Sequence, residues 1–257
     1  MTQKERREYL IKYLINEQGR LKGTKIPTDE ISQKRLLRSL MNIRAPREIS
    51  REFLEVQDAY LQEESAGKGI VSLSGLEPVQ PGIYLWQGDI TRLSVDAIVN
   101  AANDALLGCF IPCHGCIDNA IHSAAGVQLR LECARIMAGQ GVPEPTETAK
   151  ITKAYNLPCR YVLHTVGPII FRDVTPKDRK LLAECYRSCL ELAAAKGLKS
   201  IAFCCISTGE FHFPNEEAAE IAVQTVRDFL AENNSNLEVI FNVFKDIDYK
   251  IYNQLLR

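Results

Sequence analysis

The densest chemistry in this sequence lies in one loop, Gly108-Cys109-Phe110-Ile111-Pro112-Cys113-His114-Gly115-Cys116-Ile117-Asp118-Asn119. Three thiols and one imidazole are crowded between Cys109 and Cys116. These are soft sulfur and nitrogen donors of the kind that bind zinc. Pro112 and Gly115 keep the segment out of regular structure, so neighbouring side chains can converge on one point. Two arrangements stay open on the residues alone. All four groups can close a structural site, or three can bind and leave a position for water or substrate. The loop runs into a helix beginning near Ile117, whose N-terminal amides would attract a phosphate.

Three further segments offer binding groups. Gly88-Asp89-Ile90-Thr91 follows a strand and sets an acidic acceptor, suited to an exocyclic amine, beside free backbone amides. Read without a ligand it is a turn with a solvated aspartate. Asn100-Ala101-Ala102-Asn103 ends a buried strand, and its small residues let a ligand approach the backbone; the asparagines alone would close a turn. Ser207-Thr208-Gly209-Glu210-Phe211-His212-Phe213-Pro214 is a small, hydroxyl-bearing loop before a helix, able to offer backbone donors to a diphosphate. Phe211 is either core or a wall against a ribose. His122 and His164 read as helix and strand residues with local partners, and His212 is the weaker metal candidate.

The elements that must position these loops fall into two parts. Residues 1–69 read as a helical extension packed on the rest. Thr2-x-x-Glu5 is a capping box, Pro27-Thr28-Asp29-Glu30 starts a second helix and Ser50-Arg51-Glu52 a third, ended by Gly67 and Gly69. Residues 70–257 alternate strands and helices. The strands are expected at 83–86, 95–99, 148–154, 161–166, 200–206 and 238–244. The helices are expected at 117–138, 176–196, 215–232 and 246–256. Short apolar strands separated by helices predict an α/β sheet covered on both faces. Ligands of such sheets sit beyond the carboxyl ends of the strands, where each chemical segment falls.

The chain has 257 residues and a formal net charge of −1, so nothing global draws it to nucleic acid or an acidic membrane. The sequence has no stretch near the roughly 18 apolar residues of a membrane span. Its charged start, MTQKERREYLIKYL, does not read as a secretion signal. Nine cysteines are an odd number, and several lie in apolar runs such as Ile201-Ala202-Phe203-Cys204-Cys205. Free buried thiols and a reducing cytoplasm are the expectation.

Over roughly residues 75–257 these segments resemble the macrodomain family. The resemblance is carried by GDIT at 88–91, NAAN at 100–103, AIHSAAG at 120–126, LHTVGP at 163–168 and STGEFHFP at 207–214. It implies a three-layer α/β/α sandwich that binds ADP-ribose above the sheet. Most macrodomains carry a glycine run where this chain has GCFIPCHGCIDN. That departure resembles the zinc-dependent branch found in bacteria and fungi, which has a helical N-terminal extension and hydrolyses mono-ADP-ribose from acidic protein side chains. Its Cys-x4-His-x-Cys pattern fits Cys109, His114 and Cys116 as metal ligands and leaves Cys113 as a spectator or competitor. The resemblance gives Asp89 the adenine amine, Ile90 a backbone contact beside it and Asn103 the distal ribose. Cys116, Ile117, Asp118 and Asn119, with Ser207, Thr208, Gly209, Glu210 and Phe211, would line the diphosphate and distal ribose. Asn103, Cys109, His114 and Cys116 are the expected catalytic set. The implied partner is a mono-ADP-ribosylated protein, with a lipoyl-carrier protein as the candidate.

Rival readings are a non-catalytic ADP-ribose reader with structural zinc and a deacylase of O-acyl-ADP-ribose. Nucleic-acid binding through the N-terminal helices is disfavoured, because their basic residues are interleaved with acidic ones.

Overall fold

Thr2 starts the first helix in the way its spacing to Glu5 requires. In the computed structural model, which describes residues 1–257 apart from the side chain of Arg20, the Glu5 amide donates to Thr2 Oγ1 (3.2 Å). The Thr2 amide donates back to Glu5 Oε2 (2.8 Å), which completes the capping box of α1 (Gln3–Glu17). Asp29 caps α2 (Glu30–Ile43) and Ser50 caps α3 (Arg51–Lys68), both at the residues the sequence marks. Gly69, at φ +80°, ends α3. The apolar faces of these helices close on Leu10, Ile11, Leu14, Leu37, Leu40 and Phe53, a small core of their own. It reaches the rest of the molecule through Val127.

Nine strands follow in chain order. They are β1 (Val71–Ser72), β2 (Pro78–Gln80), β3 (Ile83–Gln87), β4 (Leu93–Ser94), β5 (Ala97–Ala101), β6 (Ala149–Lys153), β7 (Tyr161–Thr165), β8 (Ser200–Phe203) and β9 (Glu238–Val243). Seven form one sheet in the order β2-β3-β9-β8-β5-β7-β6. The five inner strands are parallel, and β2 and β6 add antiparallel edges. β1 and β4 make a separate two-stranded parallel pair. The helices of this part are α4 (Ile117–Ala125), α5 (Val127–Gln140), α6 (Pro176–Ala195), α7 (Asn215–Glu232) and α8 (Asp246–Leu255). α4 and α5 pack on β5 and β6, while α6, α7 and α8 pack on one another and on strands from β6 to β3. The inner strands are therefore buried on both faces, which is why they read as unbroken apolar runs. The result is a mixed sheet between helical layers, with α2 and α3 laid against α4 and α1 packed on them.

The structure corrects the expected elements in three places. The helix expected at 117–138 is two helices, broken at Gly126, whose φ of +97° no ordinary helical residue adopts. A Cβ there would meet Gln57 Nε2 at 2.6 Å, and the Val127 amide donates to Gln57 Oε1 (3.0 Å). The break therefore belongs to the docking of α3. The strand expected at 95–99 runs instead over Ala97–Ala101, and that at 200–206 stops at Phe203, with Cys204–Ile206 already turning into the loop. β1, β2 and β4 are only two or three residues long and too short for periodicity to register. Among the described residues no helix is long and apolar enough to cross a membrane.

Candidate active site and metal centre

Because β3, β9, β8, β5 and β7 run parallel, their carboxyl ends lie along one edge of the sheet. The loops after β3, β5 and β8 open along that edge, those after β5 and β8 on neighbouring strands and that after β3 beyond β9. After β3, Asp89 begins a short 3-10 turn and accepts from the Thr91 amide (3.0 Å) and hydroxyl (2.6 Å) through Oδ1. Its Oδ2 lies 3.5 Å from Lys68 Nζ, an exposed cation that can swing aside. Ile90 puts its side chain in the core, which leaves only its backbone to face the cleft.

After β5 the two asparagines diverge. Asn100 is fully buried and donates to Asp118 Oδ1 (2.8 Å), with its amide nitrogen 3.2 Å from His164 Nδ1. Asn103 is half-buried at the loop mouth and donates to Asp118 Oδ2 (3.2 Å) and the Gly108 carbonyl (3.3 Å). Asp118 is thus the common anchor of both. Burial pushes its carboxyl up to about 6, against the pull of its Asn100 hydrogen bond and of Arg130. Gly108 takes φ +76° and lies so close to His122 that a Cβ would sit 2.7 Å from the ring. No other residue type fits at the point where the cysteine loop starts.

In that loop the structure separates the four candidate donors. Ligand atoms of Cys109, His114 and Cys116 all lie within 4.8 Å of one another. His114 Nδ1 is buried and has no hydrogen-bond partner among the described residues, an orphan that a cation would satisfy. Cys116 caps α4, its Sγ accepting from the Asn119 amide at 3.4 Å. Burial pushes its thiol well up, with Cys109 and Asp118 adding to the effect, so in the absence of a cation it is a neutral thiol. Cys113 is turned away. At φ +54° it points to α2, where Sγ lies 3.2 Å from Ser39 Oγ and 3.3 Å from the Arg35 carbonyl. A closed four-donor site is therefore not what this loop builds.

The loop after β8 comes round to meet it. Glu210 Oε1 lies 3.6 Å from His114 Nε2. Ser207, at φ +64°, buries an Oγ without a hydrogen-bond partner among the described residues, and the Phe213 amide closes the loop on the Ser207 carbonyl (3.0 Å). Thr208 donates to the Cys205 carbonyl (3.1 Å), and Gly209 has open space beside it. The Phe211 carbonyl accepts from Ile170 (2.8 Å), which ties this loop to the one after β7. On the opposite side of the cysteine loop, the first-turn amides of α4 at Ile117 and Asp118 have no helical carbonyl to pair with. These loops offer an acidic acceptor after β3, unpaired first-turn amides at the start of α4, and three clustered soft donors that could hold a metal ion.

A second grouping, His122, Cys133 and His164, is wholly buried. His164 is already engaged by Thr152 Oγ1 (2.9 Å) and Asn100, and burial holds it at about 4. It reads as a packing cluster beneath the cleft.

The Macro domain family pattern matches residues 99–222, a span that holds the asparagine, cysteine and Ser207 loops. A relative from Treponema medium, "Protein-ADP-ribose hydrolase", is 59% identical over 260 residues and is matched over 100% of both chains. The chain belongs to the macrodomain family. A protein of the same name from Staphylococcus aureus strain MRSA252 is 49% identical, covering 98% of this chain and 96% of the relative. The Trypanosoma brucei macrodomain solved in complex with ADP-ribose is 34% identical with a TM-score of 0.67, covering 85% of this chain and 95% of that one.

Within this macrodomain, the residues that sequence reasoning missed are those that hold the cysteine loop from outside. Asn119, expected to line the cleft, is fully buried and uses its side chain on the loop itself. Its Nδ2 donates to the Ile111 carbonyl (3.0 Å), and its Oδ1 accepts from Arg38 (2.7 Å and 3.1 Å). Asn42 accepts from the Cys113 amide (2.9 Å). Arg130 donates to the Leu107 carbonyl (2.6 Å) and stacks on Phe110. No local pattern marks these residues, because their partners lie far away in the chain.

Proposed function

We propose that this macrodomain binds ADP-ribose along the cleft and hydrolyses mono-ADP-ribose from acidic side chains of proteins, with zinc held by Cys109, His114 and Cys116. The observation that carries the reading is the convergence of three soft donors, Cys109, His114 and Cys116, in the loop before α4, with His114 Nδ1 lacking a hydrogen-bond partner among the described residues. The names of the Treponema and Staphylococcus relatives support the hydrolysis, and the ADP-ribose complex of the Trypanosoma protein supports the ligand.

In this reading Asp89 accepts the adenine amine through Oδ2, and the Ile90 backbone lies beside the ring. The diphosphate lies across the amides of Ile117 and Asp118, where the dipole of α4 favours negative charge. Cys116, Ser207, Thr208, Gly209, Glu210 and Phe211 frame the diphosphate and distal ribose. Asn103, oriented by Asp118, holds the distal ribose so that its anomeric carbon faces the metal cluster. Such orientation alone can supply several powers of ten in rate. Zinc, when bound, supplies a Lewis acid and lowers the pKa of a bound water toward ~7. The substrate is a mono-ADP-ribosylated protein, a lipoyl carrier being the candidate, and the setting is the cytoplasm. Residues 1–69 form a helical extension packed on the macrodomain of residues 70–257.

Metal content and single-turnover hydrolysis of a mono-ADP-ribosylated carboxylate, measured on the same variants, test the reading. Cys109→Ala and His114→Ala are expected to lose both the zinc and the hydrolysis. Cys113→Ser is expected to keep both, because its thiol faces Ser39 and not the other donors. Loss of zinc in Cys113→Ser would mean a closed four-donor site and would sink the mechanism. Wild type that binds ADP-ribose but never releases it from the protein would be a reader.

A further inference from the structure

α2 belongs to the N-terminal extension, yet one of its side chains reaches into the metal loop. Arg38 donates from Nε (3.1 Å) and from one terminal nitrogen (2.7 Å) to Asn119 Oδ1. The same terminal nitrogen also donates to the carbonyl of His114 (3.0 Å). Asn119, gripped in this way, passes the restraint on. Its Nδ2 donates to the carbonyls of Ile111 (3.0 Å) and, more weakly, Cys109 (3.4 Å). Its own amide donates to Cys116 Sγ. One guanidinium therefore bears on all three donors: on the His114 backbone directly, and on Cys109 and Cys116 through Asn119.

α2 itself is fixed against the loop, so Arg38 is not a swinging side chain. The Asn42 and Arg44 carbonyls at its C-terminal end accept from Arg130 (2.7 Å each), and the same arginine holds the Leu107 carbonyl where the loop begins. Ser39 and Asn42 hold Cys113 on the far side of the loop. A planar guanidinium suits this place because it can serve a side-chain oxygen and a carbonyl together in fixed geometry.

We infer that Arg38 is a positioning residue for the metal centre, so that the N-terminal helices complete the site. This rests on the reading of Cys109, His114 and Cys116 as metal ligands. Groups that orient ligands from outside the coordination sphere typically contribute about 10- to 100-fold in metal affinity.

The test uses the full chain with Zn²⁺, by competition against a chromophoric chelator, and Co²⁺, whose absorption reports thiolate ligation and tetrahedral geometry. Arg38→Met keeps the aliphatic stem and removes every donor. It is expected to bind Zn²⁺ about 10- to 100-fold more weakly and to give an altered Co²⁺ spectrum, with the thermal midpoint of the metal-free protein little changed. Arg38→Lys, with a single ammonium that cannot span both acceptors, is expected to fall between. Zinc affinity within twofold of wild type and an unaltered Co²⁺ spectrum in Arg38→Met would overturn the inference. If Arg38→Met does not fold, the same comparison on Arg38→Lys decides. Wild type that takes up neither ion would fail the metal reading itself, a different result from wild type and variant binding alike.

Discussion

At the scale of single residues, the cleft is described by what each side chain has already committed. Asp89 spends Oδ1 on Thr91 and keeps Oδ2 for a ligand, with Lys68 as its one close cation among the described residues. Asp89→Ala is therefore expected to weaken ADP-ribose binding by ~1.5–3 kcal/mol, about 10- to 150-fold, since a charge-assisted hydrogen bond is lost. Calorimetry would show it, and unchanged affinity would return the segment to a plain turn. Residues of this kind were legible in the sequence, because the loop chemistry of Asp89, Asn103 and the Cys109–Cys116 cluster is local. The fate of Cys113 was not legible. Its spacing offers it as a fourth donor, and only Ser39 and Asn42, far away in the chain, draw it aside. The use Asn119 makes of its side chain was not legible for the same reason, since its partner Arg38 carries no mark of its role.

At the scale of elements, caps and apolar periods located most helices and inner strands to within a residue or two. The sequence hid the division between α4 and α5. Apolar spacing runs on through Gly126, and the cause of the break is Gln57 on another helix. Gly126→Ala is expected to destabilise the fold by ~2–4 kcal/mol, from backbone strain at φ +97° and from displacing Gln57. Gly139, inside α5 with open space around it, makes the contrast: Gly139→Ala is expected to stabilise by about 0.5–1 kcal/mol. Urea unfolding of the two variants distinguishes them, and a Gly126→Ala protein as stable as wild type would show that the break is not enforced.

At the scale of the whole molecule, the buried imidazoles set the response to acid. Burial holds His164 at about 4 and His122 well below its usual value, so the folded protein keeps both neutral. An unfolded histidine takes its proton near 6.5. The stability due to His164 is thus present above about 6.5 and is lost as the pH falls toward 4, on the order of 3 kcal/mol in all. Asp118, pushed up to about 6 by burial, works with the opposite sign over part of the same window, because the folded form takes its proton first. Comparing wild type with His164→Gln isolates the histidine. The variant is expected to show a shallower loss of stability between pH 6.5 and 4 in denaturant titrations, and parallel curves would contradict it. The sheet order that stacks these groups under the cleft was beyond the sequence, which shows strands but not which strands are neighbours.

That order also bears on when the molecule becomes competent as it is made. β9 sits between β3 and β8, pairing Ile83 with Val239 on one side and Ser200 with Glu238 on the other. The Asp89 loop after β3 and the cysteine loop after β5 therefore lie on parts of the sheet that only β9 joins. At ribosomal rates, roughly ten to thirty seconds pass between the appearance of Gln87 and that of Val243. From the appearance of Cys116, part-way through that interval, until Val243 is made, the cysteine loop is not yet joined through the sheet to the Asp89 loop, and any cation it meets finds thiols on a half-built sheet. ADP-ribose, which in the proposed function touches both loops, is therefore expected to bind only after β9 has joined the sheet.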